Sequence, residues 1–361
     1  MRDPQEIDTG TFALDSSLKL MRILLIADPD IPVPPIEYGG IERIIALLID
    51  EYLKKGHQVS LLAGPDSKPA CDCYFYGVTG AVKSKKQRGV EILEAWKFLT
   101  AQHARFDVIH NFSRLMYFLP ILTSKAVKIM SYQRPITARN ISFIGGLPSR
   151  RFCFTANSDS CARTGNVSGR WHTVYNGVNM GQYDFQKSVP EDAPLVFLGR
   201  LDRVKGAHTA IRVAQDAGRR LIIAGNKPHL RHEIDYFNRE VEPYIDQRKI
   251  VYAGAVNDTQ KNELLKQAAA LLFPIEWEEP FGIVMIEALA CGTPVIAFRR
   301  GAVPEVIQHG RTGFVCGSYK EMLESVGRIK NIRREDCRND CENRFSSSKI
   351  SEDYLRIYTE T

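Results

Sequence analysis

The sequence predicts an α/β fold built twice: two domains, each a parallel sheet flanked by helices, facing each other across a cleft. Three observations predict it. Short apolar runs alternate with helical patterns along nearly the whole chain, the signature of β–α units in a parallel sheet. The alternation breaks once, over residues 177–194, a polar stretch that carries Pro190 and Pro194. A length of 361 residues also suits two domains better than one, at about 100–200 residues per domain.

The elements follow in order. Residues 1–20 are polar and patternless and lack the apolar core of a secretory signal, so they read as an extension ahead of Met21. Residues 22–27 (RILLIA) are an apolar run of strand length, 41–55 an amphipathic helix and 58–63 a strand. A helix over 90–102 precedes strands at 108–110, 127–131, 152–156 and 173–175. Beyond the break, strands at 195–198, 221–224, 250–253, 271–273 and 295–297 alternate with helices at 207–217, 234–245, 259–268, 281–290 and from 303. The domain division is therefore an extension (1–20), a first domain (21–178), a linker (179–194), a second domain (195–345) and a terminal helix (346–361). That last helix has Tyr354, Leu355 and Tyr358 at helical spacing.

Composition narrows the function. Hydrophobic residues make up 44% and charged residues 25%, an ordinary globular balance that argues against disorder. No apolar run reaches the ~20 residues needed to span a bilayer. A net charge of +6 is short of a dedicated nucleic-acid binder and suits an anionic small ligand. The eight cysteines form no CxxC pair, so reduced thiols in a cytoplasmic protein are expected.

Three glycine-containing segments carry the chemistry. In WEEPFGIVMIE (277–287), Pro280 reads as the first residue of a helix, which leaves the amides of Phe281, Gly282, Ile283 and Val284 to donate to a phosphate. Glu279 and Glu287 are eight residues apart, so one can meet sugar hydroxyls while the other reaches further along a ligand. In GRLDRVKG (199–206), Arg200 and Lys205 stand on a loop between a strand and a helix, two cations matched to a diphosphate. In YGGIER (38–43), Gly39 and Gly40 can aim amides at an anion where a helix begins. This segment is not a GxGxxG fingerprint, and no acid is placed for a nicotinamide ribose, which disfavours a dinucleotide oxidoreductase.

The ordered set YGGIER, TVYNGVN, LGRLDRVKG, AGAV, EEPFGIVMIEALACGTPVIA, PEV and TGF resembles the retaining glycosyltransferases of family 4. The PPxxYGGxER start is most similar to the branch that holds antibiotic-pathway sugar transferases of the avilamycin type. The resemblance runs from Met21 to the C-terminus. It implies the GT-B fold, two Rossmann-like domains with parallel sheets facing a central cleft, and a hexosyl-type transfer from a nucleotide sugar, UDP-sugars favoured, without metal or cofactor. It further implies that Arg200 and Lys205 bind the donor diphosphate and that Glu279 holds the donor sugar. Phe281, Gly282, Ile283 and Val284 would present amides, Glu287 would bind the ribose, Val256 would lie beside the base, and Gly39 and Gly40 would touch the diphosphate from the first domain. Members commonly carry His at the end of the strand that reads KIMSYQ here, where this chain has Gln133; His110 and Asn111 are candidates to substitute from the same rim, although a buried structural histidine is the stronger reading of His110. A degenerate nucleotide-sugar binder is the alternative that Gln133 keeps open. The acceptor, whether small molecule, glycan or lipid-linked, is not readable, and a peripheral membrane contact stays open.

Other signals are weaker. Asp28-Pro29-Asp30 has the spacing of a DxD metal motif but follows the first strand. His229 and His232 lack a further ligand. The basic runs at 83–88 and 328–334 read as solvated loops, with membrane or acidic-acceptor contact as the rival. Ser158 and Ser160 lack a GxSxG elbow, so hydrolase chemistry is unsupported.

Overall fold

The computed structural model describes residues 19–36, 39–80, 82–136, 141, 151–165 and 170–361. The expected extension at 1–20 therefore lies almost wholly outside the described residues. So do Glu37 and Tyr38 of the glycine segment's approach.

The first sheet runs through β1 (Arg22–Ile26), β2 (Gln58–Ala63), β3 (Asp72–Phe75), β4 (Val108–Asn111), β5 (Val127–Tyr132), β6 (Phe152–Ala156) and β7 (Trp171–Thr173). All its pairings are parallel, and its order is β3-β2-β1-β4-β5-β6-β7. Helices α1 (Gly40–Lys54), α2 (Lys85–Gln102) and α3 (Asp159–Thr164) connect its strands. The second sheet, β8 (Leu195–Leu198), β9 (Leu221–Ala224), β10 (Ile250–Gly254), β11 (Ala270–Phe273), β12 (Val295–Phe298) and β13 (Gly313–Cys316), is also parallel, in the order β10-β9-β8-β11-β12-β13. Its helices are α4 (Ala207–Asp216), α5 (Arg231–Glu240), α6 (Asp258–Gln267), α7 (Ile283–Ala290), α8 (Val303–Val306), α9 (Tyr319–Arg328) and α10 (Arg334–Phe345).

The central strands are buried on both faces, which is why they read as continuous apolar runs rather than alternating ones. Ile23, Leu24, Leu25 and Ile26 are all fully buried, as are Leu271 and Leu272 of β11. In each sheet the strand order reverses once, between β1 and β4 and between β8 and β11. Open parallel sheets bind ligands at such points, outside the carboxyl ends of the strands.

The last helix, α11 (Ser347–Glu360), belongs to the first domain by packing although it ends the chain. Its Ile350, Tyr354, Leu355, Ile357 and Tyr358 share a core with Ile44, Ile45, Leu48 and Tyr52 of α1. The domains also touch across the cleft. Ser158 Oγ donates to the Pro280 carbonyl at 2.6 Å, and Arg43 Nη1 to Asp258 Oδ2 at 2.7 Å. The amides of Asp159 and Ser160, at the start of α3, each donate to the Glu305 carboxylate at 2.7 Å.

Several local expectations change. Strand β3 is absent from the sequence reading, since its DCYF pattern is half-exposed at a sheet edge. Helix α2 begins at Lys85, five residues early, because Ser84 and Gln87 form a reciprocal capping box. The basic run 83–88 is consequently not a solvated loop: the Lys83 side chain is only 2% exposed, between Asp30 and Glu91. The run 328–334 likewise ends in a buried cation, with Arg334 donating to the carbonyls of Gln186, Ala268 and Lys266. Strand β7 lies two residues earlier than expected, and β13, α9 and α10 are elements of the second domain that the sequence reading did not name. Among the described residues, no helix is long and apolar enough to cross a membrane, and no group of three or more His, Cys, Asp or Glu side chains could hold a metal ion.

Candidate active site at the interdomain cleft

The second sheet's switch point is built from two loops that brace each other. After β8 the chain turns through Arg203–Lys205 and leaves by Gly206, whose φ of 78° is left-handed. A Cβ at Gly206 would sit 2.1 Å from the Pro274 carbonyl oxygen, so only glycine lets the two loops approach. The Glu276 amide then donates to the Val204 carbonyl at 2.8 Å and zips them together.

This closure puts Lys205 on Glu279. Lys205 Nζ donates to Glu279 Oε2 at 2.7 Å, the Trp277 indole Nε1 donates to the same oxygen at 2.7 Å, and Lys205 Nζ stands 5.3 Å from the Trp277 ring centroid. The Lys205 and Glu279 side chains are only 18% and 12% exposed, so the pair is shielded from bulk water without being sealed. Glu279's own carbonyl accepts from the Ala302 amide at 2.9 Å, which fixes its backbone. Arg200 stands apart from this pair: its guanidinium bonds Asp202 at 2.7 Å and is 47% exposed.

Helix α7 does not open at Pro280. Gly282 is its N-cap, with a left-handed φ of 80°, and the first helical residue is Ile283. The amides of Ile283 and Val284 therefore lead the helix. Phe281 precedes the turn and its ring is core, packed on Tyr175 and Phe345 with both centroids 6.0 Å away. Across the cleft Gly40 opens α1, where a Cβ would lie 3.5 Å from Ile283 Cδ1. Two helix N-termini thus converge, and their dipoles favour an anion between them. Gly39 beside it would meet Pro35 and Glu42 if it carried a side chain.

Glu287 lies in α7 on the same helix, 7% exposed. Its Oε1 accepts from the Tyr183 hydroxyl at 2.9 Å and from Lys261 Nζ at 2.5 Å. Lys261 continues to Asp258 Oδ1 at 3.1 Å, and Asp258 to Arg43 of the first domain. Burial, with Glu287 beside it, pushes the Tyr183 phenol well up from its ordinary pKa. Val256 is half-buried, two residues past the end of β10.

Sequence reasoning missed Trp277, Lys261 and Tyr183. A tryptophan inside the motif was a usable signal for the first. The others come from a helix and a linker whose approach to Glu287 only the fold sets.

The first-domain rim needs correction. His110 is fully buried: its Nδ1 pairs with the Tyr358 hydroxyl at 2.6 Å and its Nε2 with Ser131 Oγ at 2.6 Å. It is a core residue because β4 is the central strand beneath the terminal helix. Asn111 is also fully buried and serves a turn, accepting from the Ser113 amide and donating to the Arg114 carbonyl. Neither reaches the rim. Gln133, just past β5, is half-buried; its Oε1 accepts from Asn157 Nδ2 at 3.1 Å, and its Nε2 has no hydrogen-bond partner.

Two facing Rossmann-like domains, with an anion-favouring cleft at their strand ends, define a GT-B architecture. Residues 182–344 match the family glycosyl transferases group 1. The match lies within the linker and the second domain, and the fold of the chain is that of GT-B glycosyltransferase structures. Among curated relatives, an uncharacterized 41.2 kDa protein in the cps region of Klebsiella pneumoniae is 28% identical over 298 residues, covering 72% of this chain and 80% of that one. Among solved structures, AviGT4, a glycosyltransferase involved in avilamycin A biosynthesis, superposes with a TM-score of 0.70 at 23% identity, over 94% of this chain and 97% of that one. Anabaena Alr3699/HepE, solved in complex with UDP-glucose, superposes with a TM-score of 0.71 at 16% identity, over 94% and 100%.

Proposed function

We propose that the chain is a retaining, metal-independent glycosyltransferase of family 4, working in the cytoplasm, that moves a hexosyl-type sugar from a nucleotide sugar to a hydroxyl-bearing acceptor. One observation carries this reading: the Lys205–Glu279 pair sits where the α7 N-terminus meets Gly40 of the opposite domain. A sugar diphosphate has its anion one bond away from its polyol. A cation and a carboxylate 2.7 Å apart present the complementary order, charge for the diphosphate and an acceptor for sugar hydroxyls.

In this reading Lys205 takes the β-phosphate, and the leading amides of α7 donate to the same group. Negative charge grows there as the sugar–phosphate bond breaks, and donors fixed in advance stabilise it most. Arg200 swings from its exposed pair with Asp202 to the diphosphate. Glu279 and the backbone at Phe281 and Gly282 hold the sugar, Glu287 the ribose and Val256 the base. Gly39 and Gly40 cover the diphosphate from the first domain, and Gln133 contacts the sugar from that side. The acceptor hydroxyl attacks on the face the diphosphate leaves, and a donor phosphate oxygen takes its proton. With two cations and a helix terminus on the diphosphate, no divalent ion is required. The UDP-glucose complex of the Anabaena neighbour supports a UDP-sugar, and the likeness to AviGT4 supports the avilamycin-type branch.

The test is nucleotide release from UDP-, GDP-, ADP- and dTDP-sugars, with and without EDTA, by the wild type and by Glu279→Ala. Turnover with a UDP-sugar in EDTA, lost in the variant, is the expected outcome. Tight nucleotide binding without turnover would instead favour a degenerate binder.

A further inference from the structure

The backbone that carries Glu279 is held from both domains. Its own carbonyl accepts from the Ala302 amide at 2.9 Å, and a Cβ at Gly301 would lie 2.1 Å from that carbonyl oxygen, so the approach to α8 is pressed against it. The next residue, Pro280, is buried and has no N–H, which leaves its carbonyl as the backbone polar group to be satisfied there. The donor comes from the first domain: Ser158 Oγ, at 2.6 Å. Ser158 is fully buried, so water cannot stand in for it. A proline also restricts the residue before it to extended backbone. With the carbonyls of Glu279 and Pro280 both fixed, the Glu279 side chain leaves the chain in one direction, towards Lys205 and Trp277.

Ser158 is itself held in place. Its Oγ accepts from the Cys161 amide at 2.9 Å as the N-cap of α3. The next two amides of that helix start, Asp159 and Ser160, donate to the Glu305 carboxylate across the cleft, at 2.7 Å each. Glu305 lies on α8, and its amide donates back to the Ala302 carbonyl at 2.9 Å. Arg344 donates to the carbonyls of Glu305 and Val306 and fixes the far end of α8. The contacts therefore close a ring: Glu279–Pro280 to Ser158, Asp159–Ser160 to Glu305, and Ala302 back to Glu279. The Asp159 carboxylate turns away from the ring, to the Thr173 hydroxyl of β7. Lys205 and Glu287 find their side-chain partners within the second domain. Breaking the ring thus displaces the carboxylate read as the sugar ligand and spares the groups read as holding the nucleotide.

We propose that Ser158 and Glu305 are positioning residues for Glu279: the first domain's α3 sets the sugar-binding carboxylate through the Pro280 carbonyl and α8. This rests on the reading of Glu279 as the ligand of the donor sugar. Ser158 has no nucleophile elbow, and its part is that of a hydrogen-bond donor to the donor-site backbone.

The experiment measures nucleotide release and calorimetric affinity on the full chain. The probes are UDP-, GDP-, ADP- and dTDP-glucose, each beside its nucleoside diphosphate, and the result is read on the pair that the wild type binds most tightly. Ser158→Ala should lower kcat by about tenfold or more, since a misplacement of about 1 Å at a reacting centre can cost 10²-fold. It should also erode the extra affinity that the sugar adds, while affinity for the diphosphate alone stays within about twofold, well short of tenfold. Glu305→Ala should do the same to a smaller degree, because Ser158 still reaches Pro280. Ser158→Thr keeps the hydroxyl and should recover most of kcat. Thr173→Val is the control: it frees the Asp159 side chain at the same helix start, leaves both interdomain contacts, and should leave kcat unchanged. The positioning role is refuted if Ser158→Ala turns over as the wild type does, if its diphosphate affinity falls in step with kcat, if Thr173→Val loses as much, or if Ser158→Thr is as slow as Ser158→Ala at a wild-type melting temperature. A wild type that releases no nucleotide sinks the transferase reading, and the sugar's share of the affinity then scores the positioning role by itself. A wild type in which the sugar adds no affinity and no release occurs sinks both.

Discussion

Replacing Tyr358 with phenylalanine removes one oxygen from the place where the end of the chain is built into the first domain. That hydroxyl pairs with Tyr52 at 2.9 Å on α1 and with His110 Nδ1 at 2.6 Å on β4. All three side chains are at most 3% exposed, so water cannot replace the lost partner. The ring itself stays, and so does its packing on Tyr52 and Tyr354. The cost is therefore two net hydrogen bonds of about 0.5–1.5 kcal/mol each, with a further penalty if His110 is left unsatisfied, for a total of about 2–3 kcal/mol. At about 2–4 °C per kcal/mol for a domain of this size, the first domain should melt about 4–12 °C lower. Differential scanning calorimetry of the full chain reads this directly. Tyr354→Phe is the control, because its hydroxyl makes a longer contact with Ser131, at 3.3 Å, and it should shift the melt less. If Tyr358→Phe melts within a degree of the wild type, or if the two variants shift equally, the buried network does not staple the terminal helix as argued.

Other consequences can be measured alongside. Lys205→Ala should lower turnover by about 10²-fold or more, as loss of a transition-state charge donor does, and Lys205→Arg should not fully restore it; a variant with normal turnover would remove Lys205 from the mechanism. Burial holds His110 well below the usual imidazole pKa, so its stability contribution is complete above the unfolded value of about 6.5 and is lost as the pH falls beneath it. His57, His172 and His208 are lowered too, so the urea midpoint should drop between pH 7.5 and 6.0; a constant or rising midpoint would contradict this. Glu305→Ala removes the carboxylate that caps α3 from the other domain, so small-angle scattering should show a larger radius of gyration and kinetics a higher KM for nucleotide sugar; identical scattering curves would mean that the contact does not hold the cleft.

The fold was legible where burial is two-sided. Residues 23–26 and 270–273 announce central parallel strands because both faces are buried and carry only apolar residues. β3 was not, since two of its four residues are exposed and the other two only half-buried. Motif loops were legible as loops, because glycine and charge mark them, but their geometry was not. Pro280 looked like a helix start, but Gly282 supplies a left-handed turn and the helix begins at Ile283. Partnerships across long sequence distances were least legible. Lys83 reads as one more cation in a basic run, yet it meets Asp30, 53 positions earlier. His110 followed the same logic in reverse. It stands at the end of a strand, where a rim residue would, but Tyr358 of the terminal helix covers it.

The central claim is that Lys205, Glu279 and the α7 N-terminus together cleave a sugar from a nucleoside diphosphate without a metal. The most direct measurement is the rate of UDP release from UDP-glucose and related UDP-sugars in excess EDTA, for the wild type and for Glu279→Ala at matched folding. Measurable release by the wild type, unchanged by EDTA and abolished in the variant, is what the proposal predicts. Release that stops in EDTA and returns with Mg²⁺ or Mn²⁺, or that persists undiminished in Glu279→Ala, would contradict it.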